Sequence, residues 1–134
     1  AGTILLPIDG GDGTDRAIEQ ALSVAERGRD RHALYVVDRR RYGEPALSSV
    51  EVFVDEREDE GRRTLARVVD RASDRGVPVM VRCCHGDRCD TVVDYAVEIG
   101  ADTVVLDHWD WTPETRRRLV EVVDRIVDRE SVLP

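Results

Sequence analysis

The sequence predicts a three-layer α/β/α domain built on a mostly parallel, five-stranded sheet whose last strand is very short. Two observations lead to this prediction. Short apolar or β-branched segments, typical of buried strands, alternate with segments whose apolar residues recur every three or four positions, as on one face of a helix. Strands that alternate with helices form parallel sheets with helices on both faces. Residues 1–134 are then expected to form a single domain.

The individual elements follow from these two patterns. Buried strands are predicted at residues 3–8, 33–37, 77–84 and 103–106. Val132 and Leu133 begin the expected fifth strand, which Pro134 limits to about three residues because proline cannot donate a hydrogen bond. Four helical faces lie between the strands: Ala17, Ile18, Ala21, Leu22 and Ala25; Leu65, Val68, Val69 and Ala72; Val92, Val93, Ala96 and Val97; and Leu119, Val122, Val123, Ile126 and Val127.

One segment fits the helical pattern poorly, because residues 55–63 contain no apolar side chain. We interpret it as a solvated helix with pairs of opposite charge four residues apart, of which Glu58 and Arg62 are well placed. The alternative is that residues 44–60 project from the domain and cover a partner chain.

The charged residues are unusual in kind. All 20 basic residues are arginine, aspartate outnumbers glutamate by 17 to 11, and the net charge is −8. Such a surface repels nucleic acids and anionic lipids, and it keeps proteins soluble in concentrated salt, so we expect a halophilic protein without nucleic-acid or membrane partners. The alternative is an ordinary acidic protein from a GC-rich genome. The absence of a membrane-spanning stretch or signal peptide predicts a cytoplasmic location.

The first strand ends at Asp9, and glycines at 10, 11 and 13 lead into the first helix. Open α/β sheets bind ligands at such points, where backbone amides and the positive end of a helix dipole meet. Asp9 alternatively makes an Asx-turn or caps the helix. A dinucleotide fingerprint is incomplete, because Arg16 occupies the third glycine position.

Cys83, Cys84, His85 and Cys89 lie close together in sequence, and His108 follows the fourth strand. These side chains include zinc ligands, but adjacent strand residues point to opposite faces and no C-x-x-C pair is present. We therefore expect no metal centre, and reduced thiols.

Acidic residues also gather near the predicted strand ends, together with His85 and His108. They are Asp9, Asp107 and Asp110. A hydrolytic or divalent-ion site would be placed at this edge of the sheet. However, no nucleophile with a positioned base accompanies them, so we expect a protein that is not an enzyme.

Three segments, 4–25, 32–51 and 85–106, resemble the universal stress protein family in order and spacing. The resemblance implies a Rossmann-like fold of the adenine-nucleotide alpha hydrolase type with five parallel strands. It also implies frequent dimerisation, and membership of a family divided into proteins that bind ATP and proteins that do not.

ATP-binding members of that family carry Gly-x-x-Gly, nine further residues, and then Gly-Ser or Gly-Thr. The matching positions here are Asp107, Asp110 and Val120-Glu121, and no glycine follows Gly100. Glycine lets backbone amides approach phosphate without a Cβ in the way. Thr112 is also a good N-cap and Pro113 suits a first helical position, so the last helix is expected to start too early for a long phosphate loop.

The resemblance therefore implies a degenerate nucleotide site with no bound cofactor. Its vestigial residues are Pro7, Ile8, Asp9, Val37 and Asp107, of which Val37 matches a position whose backbone meets adenine in ATP-binding relatives. Trp109 and Trp111 are expected to fill space that the nucleotide would occupy.

We expect a stress-response protein that regulates through an unknown protein partner. The alternative is a module that still binds a nucleotide or nucleoside. A homodimer is predicted, because the family commonly pairs terminal strands and a short edge strand leaves backbone groups unpaired. Val50, Phe53 and Val54 would add apolar area to that interface.

Overall fold

Strands and helices alternate along the part of the chain that the computed structural model describes, residues 2–8, 14–24, 30–37, 47–106 and 113–127. Within residues 47–55 and at 24 and 57, the backbone alone is described. The elements in chain order are β1 (Thr3–Ile8), α1 (Thr14–Val24), β2 (Asp30–Val37), α2 (Leu47–Asp74), β3 (Met80–His85), α3 (Arg88–Glu98), β4 (Thr103–Val105), α4 (Pro113–Val122) and β5 (Arg125–Val127).

The five strands form one parallel sheet in the order β3-β2-β1-β4-β5. The chain builds the sheet outward from β1 to β3, then crosses to the other side of β1 to add β4 and β5. This order places a topological switch point between β1 and β4. The predicted fold class is therefore confirmed.

The two faces of the sheet carry separate hydrophobic clusters, which together make three layers. On β2, Ala33, Tyr35 and Val37 pack toward α1 and α2, whereas Leu34 and Val36 pack toward α3 and α4. Successive strand residues point to opposite faces, and both faces are covered by helices, so a continuous apolar run is buried.

The third strand differs from the prediction in position and environment. β3 begins at Met80 rather than at residue 77, and Met80, Val81, Arg82 and Cys83 are exposed, not buried. The reason is that β3 is an edge strand, paired with β2 on one side only. Val77 and Val79 precede it and pack against the α1/α2-side core.

The chain's last described helix ends earlier than its apolar pattern predicts. α4 stops at Val122, and Ile126 and Val127 belong to β5, not to the helical face. The amides of Asp124 and Arg125 both donate to the carbonyl of Asp102, which turns the chain beside β4. The fifth strand is described over Arg125–Val127, so it begins before Val132 and Leu133, where it was expected; those two residues lie outside the described residues.

The acidic segment after residue 54 is helical, as predicted, and forms part of α2, which is 28 residues long. The expected pairing of Glu58 with Arg62 is replaced by two other contacts. Arg62 pairs with Asp59, and the Glu58 carboxylate lies 2.7 Å from Nε2 of His85 at the end of β3.

Helix α2 is also tied to α1 by charge. Asp15 and Glu19, one helical turn apart, face Arg67 and Arg71 of α2 and Arg75 directly after it, at distances from 2.5 to 3.5 Å. These side chains are all partly exposed, so salt screens their attraction.

None of the helices in the described ranges combines the length and the apolar composition that crossing a membrane requires.

Candidate functional site

The candidate site lies at the carboxyl ends of the strands, where β1 separates from β4. Pairing between β1 and β2 extends to Ile8 and Tyr35, whereas the β1–β4 register contains Ile4 with Thr103 and Leu5 with Val104. Ligands of open α/β sheets bind in the crevice that opens at such a point.

Proline in a central strand would interrupt the backbone ladder, since proline has no N–H. Pro7 lies two residues beyond the last β1–β4 pair, where the ladder on that side has already ended. Its position is therefore compatible with the central strand and marks the opening of the crevice.

The side chains of two predicted site residues point into the core. Ile8 is fully buried and Val37 is 1% exposed, and both belong to the cluster on the α1/α2 side. A ligand in the crevice would therefore meet their backbone rather than their side chains. The carbonyl of Val37 already accepts a hydrogen bond of 3.0 Å from the amide of Gly86.

The turn from β3 to α3 borders the same edge and is tightly constrained. Gly86 has φ +150°, and a Cβ at this position would lie 2.8 Å from Oγ1 of Thr91. Asp87 is the N-cap of α3 and accepts a hydrogen bond of 2.8 Å from the amide of Asp90. This cap satisfies an amide that would otherwise be available to an anion.

The cysteines are arranged as the alternation of strand residues predicts. Cys83 is in register with Tyr35 on one face, and Cys84 with Val36 on the other. Burial raises the pKa of the Cys83 thiol, Cys84 and Glu58 add to this, and Arg62 opposes it. A raised pKa leaves less thiolate, which disfavours Cys83 as a nucleophile.

Within the described ranges, a single group of three side chains brings its potential metal ligands within 4.8 Å of one another: Asp87, Cys89 and Asp90. Nη1 of Arg118 lies 2.6 Å from Oδ1 of Asp90 and 3.2 Å from Sγ of Cys89. The guanidinium thus already supplies the positive charge that these groups attract.

Helix α4 follows β4 closely, as Pro113 and Glu114 in its first turn lead one to expect. Residues 107–112 separate Leu106 from this helix. Val120 and Glu121, which match the end of the phosphate-binding motif by counting, therefore lie in the last turn of α4, and Val120 is 64% exposed.

Several predicted residues lie outside the described part of the chain. They are Asp9 and Asp107 of the vestigial site, His108 and Asp110, and both tryptophans, Trp109 and Trp111. The contact between His85 and Glu58 was not predicted, since the two residues are far apart in sequence and Glu58 was expected to pair with Arg62.

The comparisons with known proteins agree with this architecture. Residues 1–131 match the model of the universal stress protein family. A universal stress protein of Methanocaldococcus jannaschii is 29% identical over 126 residues, which cover 92% of this chain and 74% of that protein.

Solved structures of this family are also similar. A member from Burkholderia pseudomallei gives a TM-score of 0.76 at 26% identity, over 95% of this chain and 94% of that chain. A universal stress protein from Archaeoglobus fulgidus, solved in complex with dAMP, gives a TM-score of 0.69 at 17% identity, over 96% and 97% of the two chains.

The parallel sheet, its strand order and the crevice at the switch point define a Rossmann-like α/β protein. With the match over almost its whole length, the chain belongs to the universal stress protein family.

Proposed function

We propose that this protein is a universal stress protein that does not bind ATP and acts through contacts with other protein chains. It works in a cytoplasm of high ionic strength, as a homodimer that regulates an unidentified partner during stress. It catalyses no reaction.

The start of α4 at Pro113 is the observation that supports this proposal most directly. The glycine motif of ATP-binding relatives would span residues 107–120, but the connection between Leu106 and α4 consists of residues 107–112. Amides inside an α-helix donate to the carbonyl four residues earlier and are unavailable to phosphate.

Electrostatics point in the same direction. Carboxylates at 107 and 110 replace the first two glycines of the motif, and the chain has a net charge of −8. Both the two carboxylates and the net negative charge would repel a triphosphate, whereas phosphate sites normally present backbone amides and the positive end of a helix.

Calorimetric titration with Mg-ATP tests whether the protein binds ATP. A charge-assisted hydrogen bond contributes about 1.5–3 kcal/mol, so losing three of them weakens binding by roughly 4.5–9 kcal/mol. A micromolar complex, about −8.2 kcal/mol, would then become millimolar or weaker. A micromolar dissociation constant for ATP would overturn the proposal.

A matched variant separates the effect of charge from that of loop length. Asp107→Gly with Asp110→Gly removes both carboxylates but does not lengthen the connection before α4. We expect ATP to remain at millimolar affinity or weaker in this variant. Recovery to micromolar affinity would show that charge alone, and not the early start of α4, prevents binding.

A second candidate is a module that binds a nucleoside or a monophosphate without the phosphate loop. The register of β1 and β2 favours this second candidate. Ile8 pairs with Tyr35, so β2 extends two residues beyond β1, and the backbone at Val37 could lie against a flat ring. The Archaeoglobus fulgidus relative was solved with dAMP.

Titrations with AMP and adenosine distinguish the two candidates, together with mass spectrometry of the denatured, purified protein. Micromolar binding of AMP, weakened in Asp9→Ala, would establish the second. Absence of binding for ATP, AMP and adenosine supports the first.

A further inference from the structure

Side chains of the kinds that bind metal ions come together beside the end of the edge strand β3. Cys83 and His85 are two residues apart on this strand and are in register with Tyr35 and Val37 of the α1/α2-side core. Residues two apart on a strand point to the same face of the sheet, with Cα atoms about 6.4–6.8 Å apart. The thiol and the imidazole therefore both lie on the face that α2 covers.

A third side chain comes from α2. Oε1 of Glu58 lies 2.7 Å from Nε2 of His85, and the side chains of His85 and Glu58 are 43% and 32% exposed. The same carboxylate is close enough to Cys83 to help raise the pKa of its thiol. A thiol, an imidazole and a carboxylate from two neighbouring elements thus border one point on the surface.

The spacing of residues along the chain does not indicate this group. The alternation of strand residues separates Cys83 from Cys84, which was the reason to expect no metal centre, but the same alternation brings Cys83 and His85 to one face. Glu58 precedes Cys83 by 25 residues, so no motif of the C-x-x-C kind contains it.

We propose that Cys83, His85 and Glu58 form a binding site for Zn²⁺ and for chemically similar divalent ions such as Co²⁺. The ligands are Sγ of Cys83, Nε2 of His85 and a carboxylate oxygen of Glu58, and a water molecule completes the tetrahedron. Sulfur, nitrogen and oxygen ligands of these kinds are the ones that zinc takes in proteins. The inference does not depend on whether the protein binds nucleotides or forms a dimer.

The pair of His85 and Glu58 needs little movement to admit the ion. Zn–N bonds are about 2.0–2.1 Å long and Zn–O bonds about 2.0–2.2 Å, so a tetrahedral angle separates the nitrogen from the oxygen by roughly 3.3–3.5 Å. The present contact of 2.7 Å must therefore open by roughly 0.6–0.8 Å. Both side chains are partly exposed, so this movement does not disturb the core.

Cys83 makes the larger movement. Among the described side chains, the group whose donor atoms already lie within 4.8 Å of one another is Asp87, Cys89 and Asp90, so Sγ of Cys83 has still to approach the other two ligands. Around a bound zinc ion, this sulfur would lie roughly 3.5–3.6 Å from the nitrogen. Cys83 is exposed and can adopt another χ1 rotamer without displacing core side chains. Zn²⁺ replaces the thiol proton, which passes to solvent.

The charges around the three side chains favour a cation. Glu58 and its neighbour Asp59 carry carboxylates, and Arg62, which opposes the effect of Glu58 on Cys83, is paired with Asp59. Two carboxylates thus face one guanidinium before the thiolate adds a further negative charge. A bound cation relieves the repulsion between this thiolate and Glu58.

Asp87, Cys89 and Asp90 have their donor atoms closer together but suit a metal ion less well. Nη1 of Arg118 lies 2.6 Å from Asp90 and 3.2 Å from Cys89, and Asp87 accepts the capping hydrogen bond from the amide of Asp90. These residues surround the first turn of α3, where the positive end of the helix dipole disfavours a cation. The two groups contain different cysteines, so single substitutions separate them.

The zinc affinity of single variants tests the proposed site. The reduced protein, freed of metal by a chelator, is titrated with Zn²⁺ in competition with a chromophoric chelator, and we expect a micromolar or lower dissociation constant. Removing a partner that only orients a ligand costs about 10–100-fold in metal affinity. Cys83→Ala, His85→Gln and Glu58→Gln remove ligands, so each should weaken zinc binding at least about tenfold.

Cys84→Ala and Cys89→Ala are the matched controls. Cys84 adjoins Cys83 but lies on the opposite face, and Cys89 belongs to the other group, so both variants should keep the wild-type affinity. Circular dichroism checks that every variant folds. An unchanged affinity in Cys83→Ala, an equal loss in either control, or a millimolar dissociation constant for the wild type would overturn the proposal.

Cobalt identifies the ligating sulfur directly. Co²⁺ substitutes for Zn²⁺, and its bond to a thiolate gives a charge-transfer absorption band in the near ultraviolet. We expect this band in the wild type and in Cys89→Ala, and no band in Cys83→Ala. A band that persists in Cys83→Ala would assign the ion to another thiol and refute the site. These measurements involve no nucleotide, so their failure would leave the proposed function as it stands.

Discussion

Replacing Gly61 by alanine tests how tightly α2 packs on the sheet below the candidate crevice. Gly61 is a buried residue of α2, and a Cβ built on it would lie 2.8 Å from Cδ1 and 3.1 Å from Cγ and Cε1 of the Tyr35 ring. Tyr35 is 3% exposed on β2, two residues before Val37. The ring therefore has core residues around it and little room to move.

Two opposing effects determine the sign of the change in stability. Carbon atoms pack best at about 3.5–4.0 Å, so the ring or the helix must shift by roughly 0.7–1 Å. Such overpacking typically costs about 1–3 kcal/mol. Alanine is better than glycine in a helix by about 0.8–1.0 kcal/mol, which offsets part of this cost. We expect the free energy of unfolding to fall by about 1 kcal/mol.

Urea denaturation followed by circular dichroism measures this change, and two further variants divide it into its parts. Ala66→Gly, at an exposed position of α2, reports the helix propensity alone and should cost about 1 kcal/mol. In a Tyr35→Leu background, where the ring is absent, Gly61→Ala should become stabilising. Stabilisation by Gly61→Ala in the wild-type background would refute the reasoning, because it would mean that Tyr35 yields without cost.

Two more predictions concern α3 and the charged surface. Asp87→Ala removes the N-cap of α3 and should lower the free energy of unfolding by about 1 kcal/mol in urea denaturation, whereas Asp87→Asn, which keeps an acceptor, should stay near wild type; an equal loss in both variants would contradict a capping role. Raising KCl from low to molar concentration should raise the thermal midpoint, because screening relieves the repulsion within a chain of net charge −8. The exposed pairs between α1 and α2 weaken under the same conditions, so a midpoint that falls or stays constant would mean that attraction dominates and would argue against a halophilic protein.

The sequence predicted the alternation of strands and helices well, because the spacing of apolar residues within each segment shows which face is buried. It could not predict which strand lies at the edge of the sheet. Val77, Val79 and Val81 alternate as in a buried strand, yet β3 is exposed, since strand order is decided by where the chain crosses over rather than by strand composition.

The boundary between α4 and β5 illustrates a second limit. Ile126 and Val127 continue the helical spacing of Leu119 and Val123, so periodicity alone extends the helix. The amides after Val123 instead donate to the carbonyl of Asp102, a contact between segments that are distant in sequence. Short apolar segments fit either period, and here tertiary hydrogen bonding ends the helix.

For the candidate site, the structure shows which of the two features read from the sequence, the lost glycines or the early start of the last helix, bears on position 120. Counting along the motif assigns its third glycine to Val120, which suggests that side chains alone prevent phosphate binding. In the structure, position 120 belongs to α4, so its amide is directed along the helix whichever residue is present. Glycine at this position would therefore weaken the helix without creating a phosphate-binding amide. The early start of α4 therefore supports the proposal that the chain does not bind ATP, whichever residue occupies position 120.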